Sequence, residues 1–535
     1  SCDCLSATNG STNSTNTTCT NLSFLDEQSS CVKNNVLAKG SMFKENLIIT
    51  IPEIEPLHKN QDMDITNSQQ EFDSSAKDTQ TIEWKNKTPQ IIAALAVSWA
   101  SMVVGFTMGY TSPADTSLKR DMNITNLQFS WISGIMPLSA LVGSLLGGPL
   151  IEYFGRKGNL VFSTGLFLIG WFINYCAEEY WHMFVSRVIT GCGVGIVTLT
   201  LPVYVGETIQ PEIRGTLGLF PSAFGNIGIL ICFLMGVFFE WREIAIIGVL
   251  LSLILVVLLS IIPETPYWYV SKGKLGESRK SLQHLRGKNN PDATDKEYEE
   301  LLTTHKISDE KINNVFKLFE KTNLKSVMIV LGLMFFQQMS GINVIIFYTT
   351  QIFNDTGSNI NASIQTVIIG IVNFISTIIA TILIDKLGRK PLLYISSATM
   401  IVTLGVLGTY FYLLKVVDVN TSVYGCIPLM SVIIYVLGFS FGFGPVPWLM
   451  MGEIFPTKIR GSAASVSTSF NWMCTSTVTT TFPLFRDIIG FYGVFLLFCV
   501  MTILSLIFTI FCVPETKGES LEDIERKLAA STMRS

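Results

Sequence analysis

Charge is scarce in this chain. Asp, Glu, Lys and Arg make up 15% of its 535 residues, against 48% hydrophobic residues, 35 Phe and a mean hydropathy of +0.43. That balance excludes an ordinary soluble protein and implies an integral membrane one. Histidine numbers four (His58, His182, His284 and His305), and none stands with a nucleophile or metal set, so an enzyme reading finds no machinery. The eleven cysteines include no CxxC pair and no Cys/His group at metal spacing. Cys176, Cys192, Cys232, Cys474, Cys499 and Cys512 fall in or beside apolar spans and read as small packing residues. The redox state of Cys2, Cys4, Cys19 and Cys31 follows the side that the N-terminal tail occupies. The absence of a GxxxxGK[ST] phosphate loop argues against an ATP-driven pump. No basic, aromatic-interleaved patch suggests nucleic acid, and no cofactor is implied.

What the chain has is apolar length. Runs that can cross ~30 Å of hydrocarbon recur twelve times, over 89–111, 129–151, 158–177, 181–204, 216–239, 243–262, 326–350, 363–385, 391–414, 423–450, 461–484 and 490–513. The fold class is therefore all-α: a polytopic membrane protein with twelve transmembrane helices. The expected division is a disordered tail (1–88), a six-helix bundle (89–262), a linker with short helices such as Leu275 to Leu285 and Ile312 to Leu318 (263–325), a second bundle (326–513) and a C-terminal tail (514–535). The chain opens at Ser1 without a signal peptide, which fits a truncated or processed product.

Topology follows from Lys and Arg. Alternation puts Arg156, Lys157, Arg214, Lys386, Arg389, Lys390, Lys458, Arg460, Lys517 and the Lys-rich 272–325 stretch on one face. The other face carries only Lys119, Arg120, Arg242, Lys415 and Arg486. The positive-inside rule places both termini and the linker in the cytosol. The tail sequons at Asn9, Asn13, Asn16, Asn21 and Asn86 then stay unused, and Asn123, Asn354, Asn361 and Asn420 become glycan candidates, with chance occurrence the alternative for each.

Three signatures occur twice in the same order, implying two six-helix halves. Gly148, Glu152 and Gly155-Arg156-Lys157 are answered by Asp385 and Gly388-Arg389-Lys390. Glu207 with Arg214-Gly215 is answered by Glu453 with Arg460-Gly461, and Pro263-Glu264-Thr265 by Pro514-Glu515-Thr516. The expected pairings are Glu207 and Glu264 with Arg156 or Arg214, and Glu453 and Glu515 with Arg389 or Arg460. They would hold the halves together on the cytosolic side and gate the carrier; simple anchoring with incidental carboxylates is the alternative.

Phe335-Phe336-Gln337-Gln338-Met339-Ser340-Gly341-Ile342-Asn343, with Tyr348 after it, is a polar island in an apolar run. Buried amides need partners, so the island marks a candidate substrate site. A straight helix sets Asn343 roughly 140° around the axis from Gln338. A helix break at Ser340-Gly341 is expected to bring them together.

These residues resemble the sugar porters of the major facilitator superfamily over about 90–525. Besides the paired signatures, the likeness rests on Arg187 with Gly191, Gln337 to Asn343, Gly444-Pro445-Val446-Pro447-Trp448, and Pro514-Glu515-Thr516-Lys517-Gly518. Within that family, the run from Arg214 through Pro221-Ser222-Ala223-Phe224-Gly225-Asn226 to Gly228, and Tyr110-Thr111-Ser112-Pro113-Ala114, resemble the facilitated trehalose transporters of insects. The resemblance implies alternating access and a sugar as partner, trehalose foremost, bound by Gln337, Gln338, Asn343, Asn373, Trp448, Asn471 and Trp472. Amides suit hydroxyls and indoles suit sugar faces; for both tryptophans helix packing is the alternative. It also implies a plasma-membrane carrier, expected to work as a monomer.

Four positions depart from the family pattern. Ser222 and Ser440 stand where the family often has Gln and Glu, which would enlarge the cavity for a disaccharide. Tyr267 stands where it often has Arg, leaving one linker salt bridge in doubt. Proton-driven members carry an Asp in the first helix where this chain has Thr107, and no Asp or Glu occurs from Ile91 to Pro113, so facilitated diffusion is expected. A hexose facilitator, a proton symporter and a low-flux sugar sensor are the alternatives.

Overall fold

The computed structural model describes residues 87–210, 213, 217–287, 291–309, 321–356, 360–417, 425–455 and 460–517. The tail sequons and cysteines, Arg214, Asn420 and the expected Ile312 to Leu318 helix lie outside them, as do the side chains of Asp385 and Arg460. The described residues form helices and no strand.

The first half comprises α1 (Lys87–Gly109), α2 (Thr111–Met122), α3 (Asn126–Tyr175), α4 (Tyr180–Thr208), α5 (Phe220–Phe238) and α6 (Trp241–Ile261). The linker contributes α7 (Pro266–Ser271), α8 (Leu275–Arg286) and α9 (Pro291–Asp309). The second half comprises α10 (Lys321–Met339), α11 (Ile342–Asn354), α12 (Ala362–Leu387), α13 (Arg389–Lys415), α14 (Ile427–Phe441), α15 (Val446–Ile454) and α16 (Arg460–Phe511).

Ten helices among the described residues are long and apolar enough to cross a membrane. Two of them are double crossings: α3, of 50 residues, turns at Gly155 (φ 85°), and α16, of 52, turns at Gly490 (φ 72°). Twelve crossings result, as expected. The tenth is not the continuous 423–450 span the sequence suggests. Gly442 leaves helical geometry (φ −134°, ψ −76°), and Pro445 and Pro447 lack the N–H groups that would continue the ladder, so the chain restarts as α15.

Local chemistry sets the ends. Asn123 closes α2 in the left-handed region, and Thr125 opens α3 with a capping box, its hydroxyl accepting from Gln128 N at 3.2 Å. The linker is tied under the first half through Arg286, which reaches Glu297 at 2.6 Å and the Thr208 carbonyl, the last of α4. The two halves meet along α3 with α16, α5 with α12, and α2 with α11. Helix pairs like these have no water to drive them together inside a bilayer, so close packing and interhelical hydrogen bonds carry the association.

Candidate substrate site

The polar island forms the expected break. α10 stops at Met339, Gly341 N donates to the Gln338 carbonyl at 3.1 Å, and Gly341 adopts φ 90° before α11 begins. Only glycine serves there, because the backbone is left-handed and a Cβ would stand 2.5 Å from the Phe498 ring. Tyr435 Oη steadies the broken turn by donating to the Ser340 carbonyl at 2.9 Å.

The break turns four amides toward one another. Asn343 Nδ2 donates to Gln338 Oε1, Gln338 Nε2 to Asn471 Oδ1 (3.0 Å), and Asn471 Nδ2 to Gln337 Oε1 (2.8 Å). Gln337 Nε2 finishes the chain on the Phe443 carbonyl at 2.7 Å. That carbonyl is open because Pro447, four residues on, has no N–H to give it. All four side chains are buried, so the net meets the demand that buried amides be paired.

Other expected site residues take different places. Asn373 is not joined to this net; its Nδ2 donates across the halves to Asn226 Oδ1 on α5 at 3.0 Å. Trp472 also crosses between halves, donating to Thr198 Oγ1 on α4 at 3.3 Å. Trp448 is 37% exposed in the first turn of α15. Ser222 is exposed near the start of α5, whereas Ser440 is buried at the end of α14.

At the end of the bundle away from Arg156 and Arg389, α2 and α11 are latched. Ser112 Oγ lies 3.1 Å from Thr350 Oγ1 and accepts from Thr350 N at 3.1 Å. Thr350 N is free to do so because α11 kinks at Tyr348 (φ −124°, ψ 17°). The Tyr348 hydroxyl donates to the Thr479 carbonyl at 3.0 Å, again a carbonyl that a proline, Pro483, leaves open. Its ring packs on Phe482 with centroids 4.9 Å apart.

Residues 62–528 match the family model described as "Sugar (and other) transporter". The chain belongs to that family. A "Facilitated trehalose transporter Tret1" of Culex quinquefasciatus is 52% identical over 452 residues, covering 83% of this chain and 87% of the relative. Its namesake in Bombyx mori is 53% identical over 446 residues, covering 83% and 88%. Among solved structures, the "proton:xylose symporter XylE bound to 6-bromo-6-deoxy-D-glucose" has a TM-score of 0.68 at 25% identity, covering 83% of this chain and 100% of that one. An "inward open conformation of the xylose transporter XylE from E. coli" has a TM-score of 0.69 at 25% identity, covering 81% and 99%. This sugar transporter is thus a multi-pass membrane protein of the major facilitator fold and not an enzyme.

The repeated signatures take matching geometry in the two halves. Arg156 reaches Glu207 and Arg389 reaches Glu453, each at 2.7 Å. Glu264 and Glu515 do something other than pair with arginine side chains. Glu264 accepts from the backbone N–H of Arg156 (2.9 Å) and Lys157 (2.8 Å), and Glu515 from those of Arg389 (3.0 Å) and Lys390 (2.9 Å). Each carboxylate thus caps a helix start, where free N–H groups and the helix dipole favour negative charge. Burial pushes the Glu515 carboxyl up, but the N–H groups of Lys517, Arg389, Lys390 and Thr516 outweigh it and hold it below its ordinary range. Glu152 contributes its backbone carbonyl, which accepts from Trp268 Nε1 at 3.0 Å. The described pairs at this end lie within one half each, not across the halves as the sequence suggests.

Arg187 is buried and donates to the Thr107 carbonyl at 2.9 Å, its guanidinium 5.9 Å from the Tyr110 ring centre. Of the glycan candidates, Asn123, Asn354 and Asn361 are exposed at helix ends, and Asn361 Oδ1 is engaged, accepting from Ser363 N at 2.8 Å as the cap of α12. Asn226, which bonds both Asn373 and Thr377 across the halves, is a residue that sequence reading passed over. Its signal was present: an amide in mid-span, one turn from Ser222.

Proposed function

We propose that this sugar transporter carries trehalose by facilitated diffusion across the plasma membrane, with both termini cytoplasmic and the monomer as the working unit. The observation that carries the reading is the amide net at the α10–α11 break. Gln337, Gln338, Asn343 and Asn471 are donors and acceptors satisfied by one another, so sugar hydroxyls, which are both, can exchange into the net without stranding a buried group. Asn373, Trp472, Trp448, Ser222 and Ser440 complete the proposed site. The named substrate of relatives about half identical to this chain supports trehalose as the cargo.

Facilitation in place of coupling is supported by Arg187, which meets the backbone carbonyl of Thr107 where a carboxylate relay would need an acid. The repeated ion pairs Arg156–Glu207 and Arg389–Glu453 support gating through the shape of each half: a half whose cytosolic helix ends are cross-tied rocks as one body. Arg214, Asp385 and Arg460 belong to the same proposed gates. Asn123, Asn354, Asn361 and Asn420 are the proposed glycan acceptors, on the extracellular side.

A hexose is the competing cargo, favoured by the sugar-bound xylose symporter among the structural neighbours. Tracer uptake of trehalose and glucose into proteoliposomes separates the two. Saturable trehalose uptake that neither accumulates uphill nor alkalinises the medium supports the proposal; glucose uptake without trehalose uptake refutes it.

A further inference from the structure

We propose that Asn226 is a substrate-contacting residue of the first half, which with Asn373 grips one sugar hydroxyl and replaces it with a direct amide–amide bond when the carrier is empty. This rests on the sugar-transport reading above. Asn226 uses both ends of its amide across the interface between halves. Its Nδ2 donates to Thr377 Oγ1 at 2.6 Å, and its Oδ1 accepts from Asn373 Nδ2 at 3.0 Å. Both asparagines are only half-buried, unlike the sealed Gln337 net.

A half-buried amide within a membrane-spanning helix is costly to keep unless its partners are always present. Here they are not fixed partners, because they belong to the half that must move against α5 in every transport cycle. A hydroxyl is both donor and acceptor, so one inserted between Asn226 and Asn373 restores to each the bond that separation removes. The backbone that carries Asn226 cannot follow the moving half. α5 is pinned to α1 where a Cβ on Gly105 would stand 3.1 Å from Gly225 Cα. The amide is therefore held at a set position on the face of α5 that meets α12, one turn from the exposed Ser222. That placement gives the first half a hydrogen-bonding arm on the side where Ser222 supplies only a short one.

The test is uptake kinetics of Asn226→Val, Asn226→Asp and Asn226→Ser in proteoliposomes, normalised to monodisperse protein. Trehalose and glucose are measured in parallel. For the better-carried sugar, Asn226→Val is expected to raise KM about 2- to 10-fold with a maximal rate within twofold of the parent, the range of one lost neutral hydrogen bond. Asn226→Asp and Asn226→Ser, which keep an acceptor or a hydroxyl, are expected to recover part of that loss. An unchanged KM with an altered maximal rate in any folded variant overturns the proposal, since a mere interface clasp changes rates and not sugar affinity. Failure of the parent to carry trehalose would refute the cargo assignment alone, because Asn226 is then judged on glucose.

Discussion

Replacing Gly155 and Gly388 by Ala, one at a time, separates the two things these glycines do. Both sit in a backbone region open essentially only to glycine, Gly155 at φ 85°, ψ 176° and Gly388 at φ 94°, ψ 170°. Each substitution should therefore cost about 1–3 kcal/mol in strain alone. Their surroundings differ. A Cβ at 155 would stand 2.8 Å from Glu264 Cδ and 3.1 Å from the Trp268 ring, where nothing short of displacing the carboxylate makes room. A Cβ at 388 would stand 3.1 Å from Glu515 Oε2, a gap that a few tenths of an ångström relieve. Expelling Glu264 gives up its bonds to Arg156 N and Lys157 N, each worth about 1.5–3 kcal/mol as a hydrogen bond to a charged group. Gly155→Ala should thus exceed Gly388→Ala by about 3 kcal/mol or more, over a hundredfold in an equilibrium constant. The assay is the temperature at which half of the purified protein leaves the monodisperse peak after heating, with Glu264→Ala added to Gly155→Ala. The double variant should lose little beyond Gly155→Ala, since the carboxylate has already been displaced. Equal losses at 155 and 388, or additive losses in the double variant, would refute the reasoning.

The same cap makes Glu515 an acid sensor of stability. Its folded pKa is depressed, so its contribution is complete above the ordinary carboxylate value of 4.5 and fades as pH falls through the lowered folded value; Glu515→Gln should flatten that acid limb in a thermal-shift series. Tyr348→Phe removes one hydrogen bond from the latched end, about 0.5–1.5 kcal/mol, and should raise thiol-reagent access to a cysteine placed at the buried Thr349 by about 2- to 10-fold. Pro483→Ala returns an N–H to the Thr479 carbonyl and should act in the same direction, whereas unchanged labelling in both would argue against the latch. Ser222→Gln with Ser440→Glu should depress trehalose uptake more than glucose uptake, and equal uptake of trehalose by parent and variant would refute the cavity-size account.

Helix number, the repeated signatures and the break at Gly341 were legible because each is written in local chemistry. Apolar length, a spacing of charges, and a glycine amid amides announce themselves one stretch at a time. Partner choice among the charges was not legible, because it depends on where distant helix ends arrive. Glu264 and Glu207 look alike in sequence, yet only Glu264 lands over the N–H groups that follow Gly155, and only Glu207 meets the Arg156 side chain. The part played by two prolines was hidden for a related reason. Pro447 and Pro483 register in sequence as helix weaknesses, but each leaves open the carbonyl of the residue four before it. Gln337 takes the one at Phe443, and Tyr348 the one at Thr479. Both acceptors thus come from the polar island's own half, and both donors flank its break. The island is therefore held by prolines far from it in sequence, and a substitution at either proline should reach the site through the backbone before it reaches the fold.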